Sequence, residues 1–316
     1  MGKKDIVSDE YLSDNDRFAD LCNYFIYGGE QVIKPEDLKP LPNAESAIIQ
    51  KMNELIASKK MRDIAKGVTI KRDEHVTFAI IGVENQSEIH YAMVVKNMLY
   101  DAMNYSSQVK AIEKELRKGE KSLTNAEFLS GFTKDSTICP VITIVINWSN
   151  KEWDAPVRLK SMFGDIDSRL MDAISDYEIK VIDPHKIDDF QRFHTELGDV
   201  LEFIKHQNEE NYSKNLLAQK GDNWTLHRDS VNAINVFTGS KIPIDPVKKE
   251  VNMCRAIEAL VEDGIQKGIQ EGINQRDKEK ISEMLNDGKS PEAIVDFCKY
   301  PLKLVLEVQA DLEQPK

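Results

Sequence analysis

The chain has 316 residues, and its 42 Lys plus Arg set against 54 Asp plus Glu give a formal charge of −12. At 41 % hydrophobic with 15 Gly and 11 Pro, it suits a packed globule of one large or two modest domains and excludes collagen-like, low-complexity and wholly disordered classes. Its longest apolar run, Val141 to Ile146, is far short of the ~20 residues that span a bilayer, and its polar start lacks an apolar signal core, so a cytoplasmic protein is expected.

Ser13-Asp14-Asn15-Asp16 has the hydroxyl-then-acid spacing of a helix start and predicts a helix over 14–27, with Phe18, Leu21, Cys22, Phe25 and Ile26 at helical spacing. Gly28-Gly29 supplies the left-handed stop. Pro35, Pro40 and Pro42 make 34–42 a connector, followed by a short helical stretch over 47–57. Residues 61–70 and 76–84, joined by a polar turn, read as an antiparallel hairpin centred between Asp73 and Glu74, with Ile64 opposite Val83 and Asp63 opposite Glu84. Ser87 then caps a helix over 89–109 whose apolar side carries Tyr91, Val95, Met98, Ala102 and Tyr105, opposite Asn97, Asp101, Asn104 and Gln108. The charged stretch 110–121 separates it from the strand 139–148, whose unbroken apolarity predicts cover on both faces. Residues 154–176 read as exposed helix or loop, 177–182 as a strand and 187–207 as a helix. From 212 onward the pattern is helical, with one long helix over 250–285 that contains the repeat Gly264-Ile265, Gly268-Ile269, Gly272-Ile273. The segment beyond it reads as short helices with Gly- and Pro-marked turns.

Three features bear on chemistry. In the predicted register, Asp63 and Glu84 would have Cβ atoms only ~5 Å apart on one face of the hairpin, where a hard, oxygen-preferring cation such as Mg²⁺ relieves their repulsion. The alternative is a strand-end salt bridge with Arg62 or Lys66. Gln86, two residues beyond Glu84, projects to the same face and could orient water or a phosphate oxygen. Lys59, Lys60, Arg62, Lys66, Lys71 and Arg72 would form a local phosphate-steering patch despite the acidic total, or else a solvated edge. The four cysteines are scattered with no C-x-x-C pair, so a zinc knot and a disulfide framework are not expected, and no Ser/His/Asp or Cys/His arrangement is legible.

At these residues the chain resembles the PD-(D/E)XK nuclease superfamily, and more closely its Rpn family of recombination-promoting nucleases and transposase-like proteins. The likeness is carried by Tyr11 to Asp20, Arg62-Asp63-Ile64, Gly82 to Met93, Asn97 to Ala102, Phe128 to Phe132, Pro140 to Thr143 and the glycine repeat. It implies a mixed α/β chain (α+β): a restriction-endonuclease-like core over 1–211 with a mixed sheet flanked by helices, a helical connector over 212–249 and a helical C-terminal region over 250–316. It further implies Mg²⁺-dependent cleavage of DNA, linked by the family's name to recombination or transposition. Asp63 and Glu84 stand at the motif's metal-binding acids, and Gln86 stands where the superfamily has lysine. Asp16 or Asp20 is a further candidate acid from the first helix, against a plain surface or capping role. The rival expectation is a catalytically weak or inactive DNA-binding or assembly protein on the same fold. Oligomeric state is open between a monomer and a homodimer, and double-strand cutting by a single-site enzyme would favour the symmetric pair.

Overall fold

The aliphatic alternation of the predicted hairpin closes as read, and the rest of the first unit is built on it. The computed structural model describes residues 2–40, 63–72, 75–119, 123–209, 212, 216 and 219–313, so the helix expected over 47–57 and the hairpin turn lie outside the described residues. The chain divides into two compact units, Met1–Val251 and Asn252–Lys316.

The first unit begins with α1 (Lys3–Ser13) and α2 (Asn15–Tyr27) and continues through β1 (Leu38–Pro40), β2 (Ile64–Arg72) and β3 (His75–Gln86) to α3 (Met93–Lys118). After α4 (Asn125–Ser130) come β4 (Val141–Asn147), α5 (Ser168–Ala173), β5 (Lys180–Ile182), α6 (Leu197–His206), β6 (Thr225–His227), α7 (Arg228–Thr238) and β7 (Glu250–Asn252). Strands β1 to β5 form one sheet in that order, and β6 pairs with β7. β1, β2 and β3 run antiparallel, while β4 joins β3, and β5 joins β4, in parallel, so this is a mixed α/β architecture. The parallel step needs a crossover, and α3 supplies it.

The register of β2 on β3 runs from Ile64↔Val83 to Arg72↔His75, as the alternation predicts. A slip of one residue would turn every aliphatic side chain to the other face. Ile64, Val68, Ala79, Ile81 and Val83 are buried on one face, beneath α1 and α2. Lys66 is buried among them, its ammonium donating to Ser13 O (2.8 Å) and Asn15 Oδ1 (2.6 Å) and lying 4.6 Å from the Phe18 ring centre. Val145 of β4 points the other way, into a cluster with Met93 and Val94 of α3 and with Trp153, Ala155 and Ile179. The sheet is thus covered on both faces.

Several elements differ from expectation. Helix α1 is not legible in the sequence, yet it buries Val7, Tyr11 and Leu12. Asp14, not Ser13, caps α2, accepting from Arg17 N at 3.1 Å, while Gly28 closes it at φ 64°. The connector over 34–42 contains β1, an edge strand that tolerates Pro40. Helix α3 starts later than predicted and runs on through the charged stretch to Lys118. Its polar row faces inward: Asn97 and Asn104 are buried, Asp101 accepts from Thr143 Oγ1 and Tyr177 Oη, and Gln108 exchanges two bonds with Cys139, while Tyr91 and Val95 are exposed. The crossover helix docks through Met93 and Val94 at its start and through these hydrogen bonds farther along. Residues of the 212–249 segment pack inside the first unit, where α7 lies against α1 and α6 and Phe237 stacks on Trp148 at 4.5 Å.

In the second unit, α8 (Met253–Asn286) folds back through α9 (Pro291–Cys298) and α10 (Leu302–Glu313) around a core of Ile281, Ile294, Val305 and Val308. Ser290 caps α9, with Pro291 at its first position. Among the described residues, no helix is long and apolar enough to cross a membrane.

Candidate active site

One step beyond the Ile64↔Val83 pair, Asp63 and Glu84 meet at the end of the central hairpin. Asp63 sits in the bend that leads into β2, and its Oδ2 accepts from the backbone N–H of Asn85 at 2.8 Å, which pins it against the strand carrying Glu84. Glu84 lies inside β3 just past the end of β2, pairs with Val145 of β4, and is 1 % exposed. A buried carboxylate requires a compensating charge. Lys96, in the first turns of α3, provides it: its Nζ donates to Glu84 Oε2 at 2.7 Å, and its side chain is 30 % exposed.

The electrostatics show how closely these groups converge. Burial opposes the charge on Lys96, yet the Glu84 carboxylate, with smaller help from Tyr100 and Asp63, outweighs that cost and holds the lysine above its ordinary pKa. Burial raises the Tyr100 phenol, and the charges of Glu84 and Asp63 raise it further against the opposing pull of Lys96. Asp63, Glu84, Lys96 and Tyr100 thus share one electrostatic neighbourhood. Two carboxylates and one ammonium leave a formal charge of −1. Hard oxygen donors with a residual negative charge fit a divalent cation of the Mg²⁺ type. Among the described residues, no three His, Cys, Asp or Glu stand in metal-holding geometry, so the protein's donors there would be the two acids, with water and phosphate oxygens completing the shell.

Gln86 shares the Glu84 face by strand alternation, and its Nε2 donates to Asn85 O at 3.0 Å. Asn85 points to the opposite face, where its amide gives a hydrogen bond to Asp9 Oδ1 (3.0 Å) and takes one from Trp148 Nε1 (2.8 Å). The acids that α1 brings near the strand end are Asp9, held across the sheet from Glu84, and Asp5, which accepts from Ser87 Oγ at 3.1 Å.

Asp20 is committed elsewhere. Asp20 is buried, and its carboxylate accepts from His194 N, Thr195 N and Thr195 Oγ1, which ties α2 to the segment ahead of α6. Asp16 is exposed in the first turn of α2. Lys66 does not steer phosphate, because its ammonium is spent on Ser13 and Asn15; burial lowers its pKa against the opposing pull of Asp14 and Cys22. Lys59, Lys60 and Arg62 lie outside the described residues.

The sequence reading missed Lys96. A signal for it exists, since Lys96 is the only Lys, Arg, Asp or Glu between Ile89 and Tyr100, on the helix that turns back from the strand bearing both acids' hydrogen bonds. Three comparisons, with protein-family models, with curated proteins and with solved structures, found no match.

Proposed function

We propose that the first unit is a metal-dependent DNA endonuclease hydrolysing phosphodiester bonds, built on a restriction-endonuclease-like core of the PD-(D/E)XK type, as the resemblance to the Rpn family implies. The observation that carries this reading is the convergence of Asp63, Glu84 and Lys96 at one end of the hairpin. A mixed sheet with helices on both faces, whose second and third strands deliver the acids, supports it. Asp63 and Glu84 would hold Mg²⁺, which when bound lowers the pKa of a water and stabilises charge growing on phosphate. Lys96 supplies beside them the positive charge that Gln86 lacks, and the Gln86 amide orients water or a phosphate oxygen. Lysine is suited to the role as a mobile point charge.

One observation favours the rival reading of a weakly active or inactive DNA-binding protein: Glu84 is 1 % exposed and already neutralised by Lys96, so solvent reaches the site at Asp63 and Lys96. Plasmid DNA incubated with the purified chain, with and without Mg²⁺, separates the two. Mg²⁺-dependent nicking that disappears in Asp63→Ala and Glu84→Ala supports the enzyme. Equal nicking by both variants, or none with any divalent metal, overturns it.

A further inference from the structure

Two requirements meet at Glu84. Its carboxylate is 1 % exposed inside β3 and needs a positive partner there, which is the Lys96 ammonium 2.7 Å from Oε2. A divalent cation held by Asp63 and Glu84 needs the same carboxylate. Were such a cation to bind with Lys96 still in place, the two acids and the lysine would pass from one net negative charge to one net positive charge, at a carboxylate that solvent barely reaches.

The lysine is the group free to give way. Its ammonium ends a flexible four-carbon stem, and its side chain is 30 % exposed. The helix that carries it is fixed by its neighbours Met93, Val94 and Asn97, all fully buried. Among the described residues, Glu84 is the one acid in ion-pair contact with Lys96, and the Tyr100 ring centre lies 5.6 Å from the same ammonium. Turning the side chain outward therefore breaks one ion pair and one cation–π contact and moves no backbone. Asp63 has no such freedom, because the Asn85 N–H holds its Oδ2 at 2.8 Å.

We infer that Lys96 keeps the place of a divalent cation at Glu84 and swings outward when that cation binds, so that its ammonium reaches a phosphate only in the metal-loaded state. This rests on the reading of Asp63 and Glu84 as metal-holding acids. It gives the buried carboxylate a partner in both states. It also links the two ligands: the single negative charge of a phosphodiester cancels the net positive charge of the loaded site, so metal and phosphate each strengthen the binding of the other.

The full-length chain without DNA tests the exchange in two ways. In the first, Mn²⁺ binding is measured by titration calorimetry. Lys96→Met should bind Mn²⁺ about tenfold more tightly than wild type, equivalent to about 1.4 kcal/mol, because no ammonium has to be displaced. Lys96→Arg, which keeps the charge, should bind like wild type, and Glu84→Gln should bind far more weakly. In the second, wild type is briefly acetylated and the lysines are read by mass spectrometry. Lys96 should react several-fold faster with saturating Mg²⁺ than without it, while lysines of the second unit, such as Lys289 and Lys299, keep their rates. That readout needs no variant to fold, and a lysine that only repels a nearby cation, or only supports the fold, would not move it. Lys96→Met binding no more tightly than wild type overturns the exchange while Glu84→Gln still shows the metal site, and so does Lys96 reactivity that Mg²⁺ leaves unchanged. Equal Mn²⁺ binding by wild type and Glu84→Gln overturns the metal site itself and the exchange with it.

Discussion

Replacing Lys96 with methionine keeps the length of the side chain and removes the ammonium 2.7 Å from Glu84 Oε2. Breaking a wholly buried ion pair costs about 3–5 kcal/mol, because the remaining charge loses its partner without regaining water. Glu84 is 1 % exposed but Lys96 is 30 % exposed, so water recovers part of the loss and about 2 kcal/mol is expected. Glu84→Gln should cost about 1 kcal/mol, since the ammonium it strands can turn to solvent. The double variant should cost less than the sum, with a coupling of about 1–2 kcal/mol. Urea unfolding followed by fluorescence of Trp148, Trp153 and Trp224 reports on the first unit, where all three tryptophans lie. The pH dependence gives a second check. Lys96 has a raised pKa in the fold, so its contribution is complete below the ordinary lysine value of 10.5 and fades as pH rises through the higher folded value. The stability gap between wild type and Lys96→Met should therefore narrow in strongly alkaline buffer. Additive single variants, to within about 0.5 kcal/mol, would refute the pairing as the device that holds Glu84 in place.

Other outcomes follow from individual contacts. Asp20→Ala strips three donors of the 194–195 segment of their acceptor and should destabilise the first unit by about 2–4 kcal/mol, with Asp20→Asn restoring part; equal losses in the two would contradict the assignment. Asn85→Ala leaves the buried indole N–H of Trp148 without its acceptor, so a loss of about 2 kcal/mol with a shifted tryptophan emission is expected, and an unmoved spectrum counts against it. Asn97 is fully buried with both amide atoms lacking a hydrogen-bond partner among the described residues. Asn97→Leu, close in volume, should raise the thermal midpoint, equivalent to about 1 kcal/mol, and a lowered midpoint would show that the amide is satisfied.

The hairpin was legible because aliphatic residues recur at every second position of both strands, and a slip of one residue would turn them all to the other face. With that register the approach of Asp63 to Glu84 follows directly. Which side of helix α3 packs inward was not legible, because hydrophobic periodicity separates its two faces and would favour the apolar one. Here Asp101, Asn104 and Gln108 carry the inward side, Asp101 and Gln108 bonded to Thr143 and Cys139 on or near β4 and Asn104 accepting from Gln108, a pattern that spacing alone cannot distinguish from a solvated face. That same ambiguity hid Lys96, one position before the buried Asn97. Helix α1 escaped notice because Val7, Tyr11 and Leu12 are few among acids and lysines, and β1 because prolines mark a connector more often than an edge strand. Asp20 misleads in the other direction, since an acid on the first helix bears on chemistry only if it reaches the hairpin's end, and this one serves backbone amides instead.

The route by which these charges assemble matters as well as the result. β2 and β3 are contiguous, and a hairpin of this kind zips within ~1–10 μs, which throws the two acids together before anything covers them. Lys96 sits on the helix that carries the chain over to β4, so one segment supplies both the crossover to the parallel half of the sheet and the cation that relieves the repulsion. A chain lacking that lysine must seat the crossover against an unrelieved negative pair, and its refolding, more than its unfolding, is where the delay will be felt.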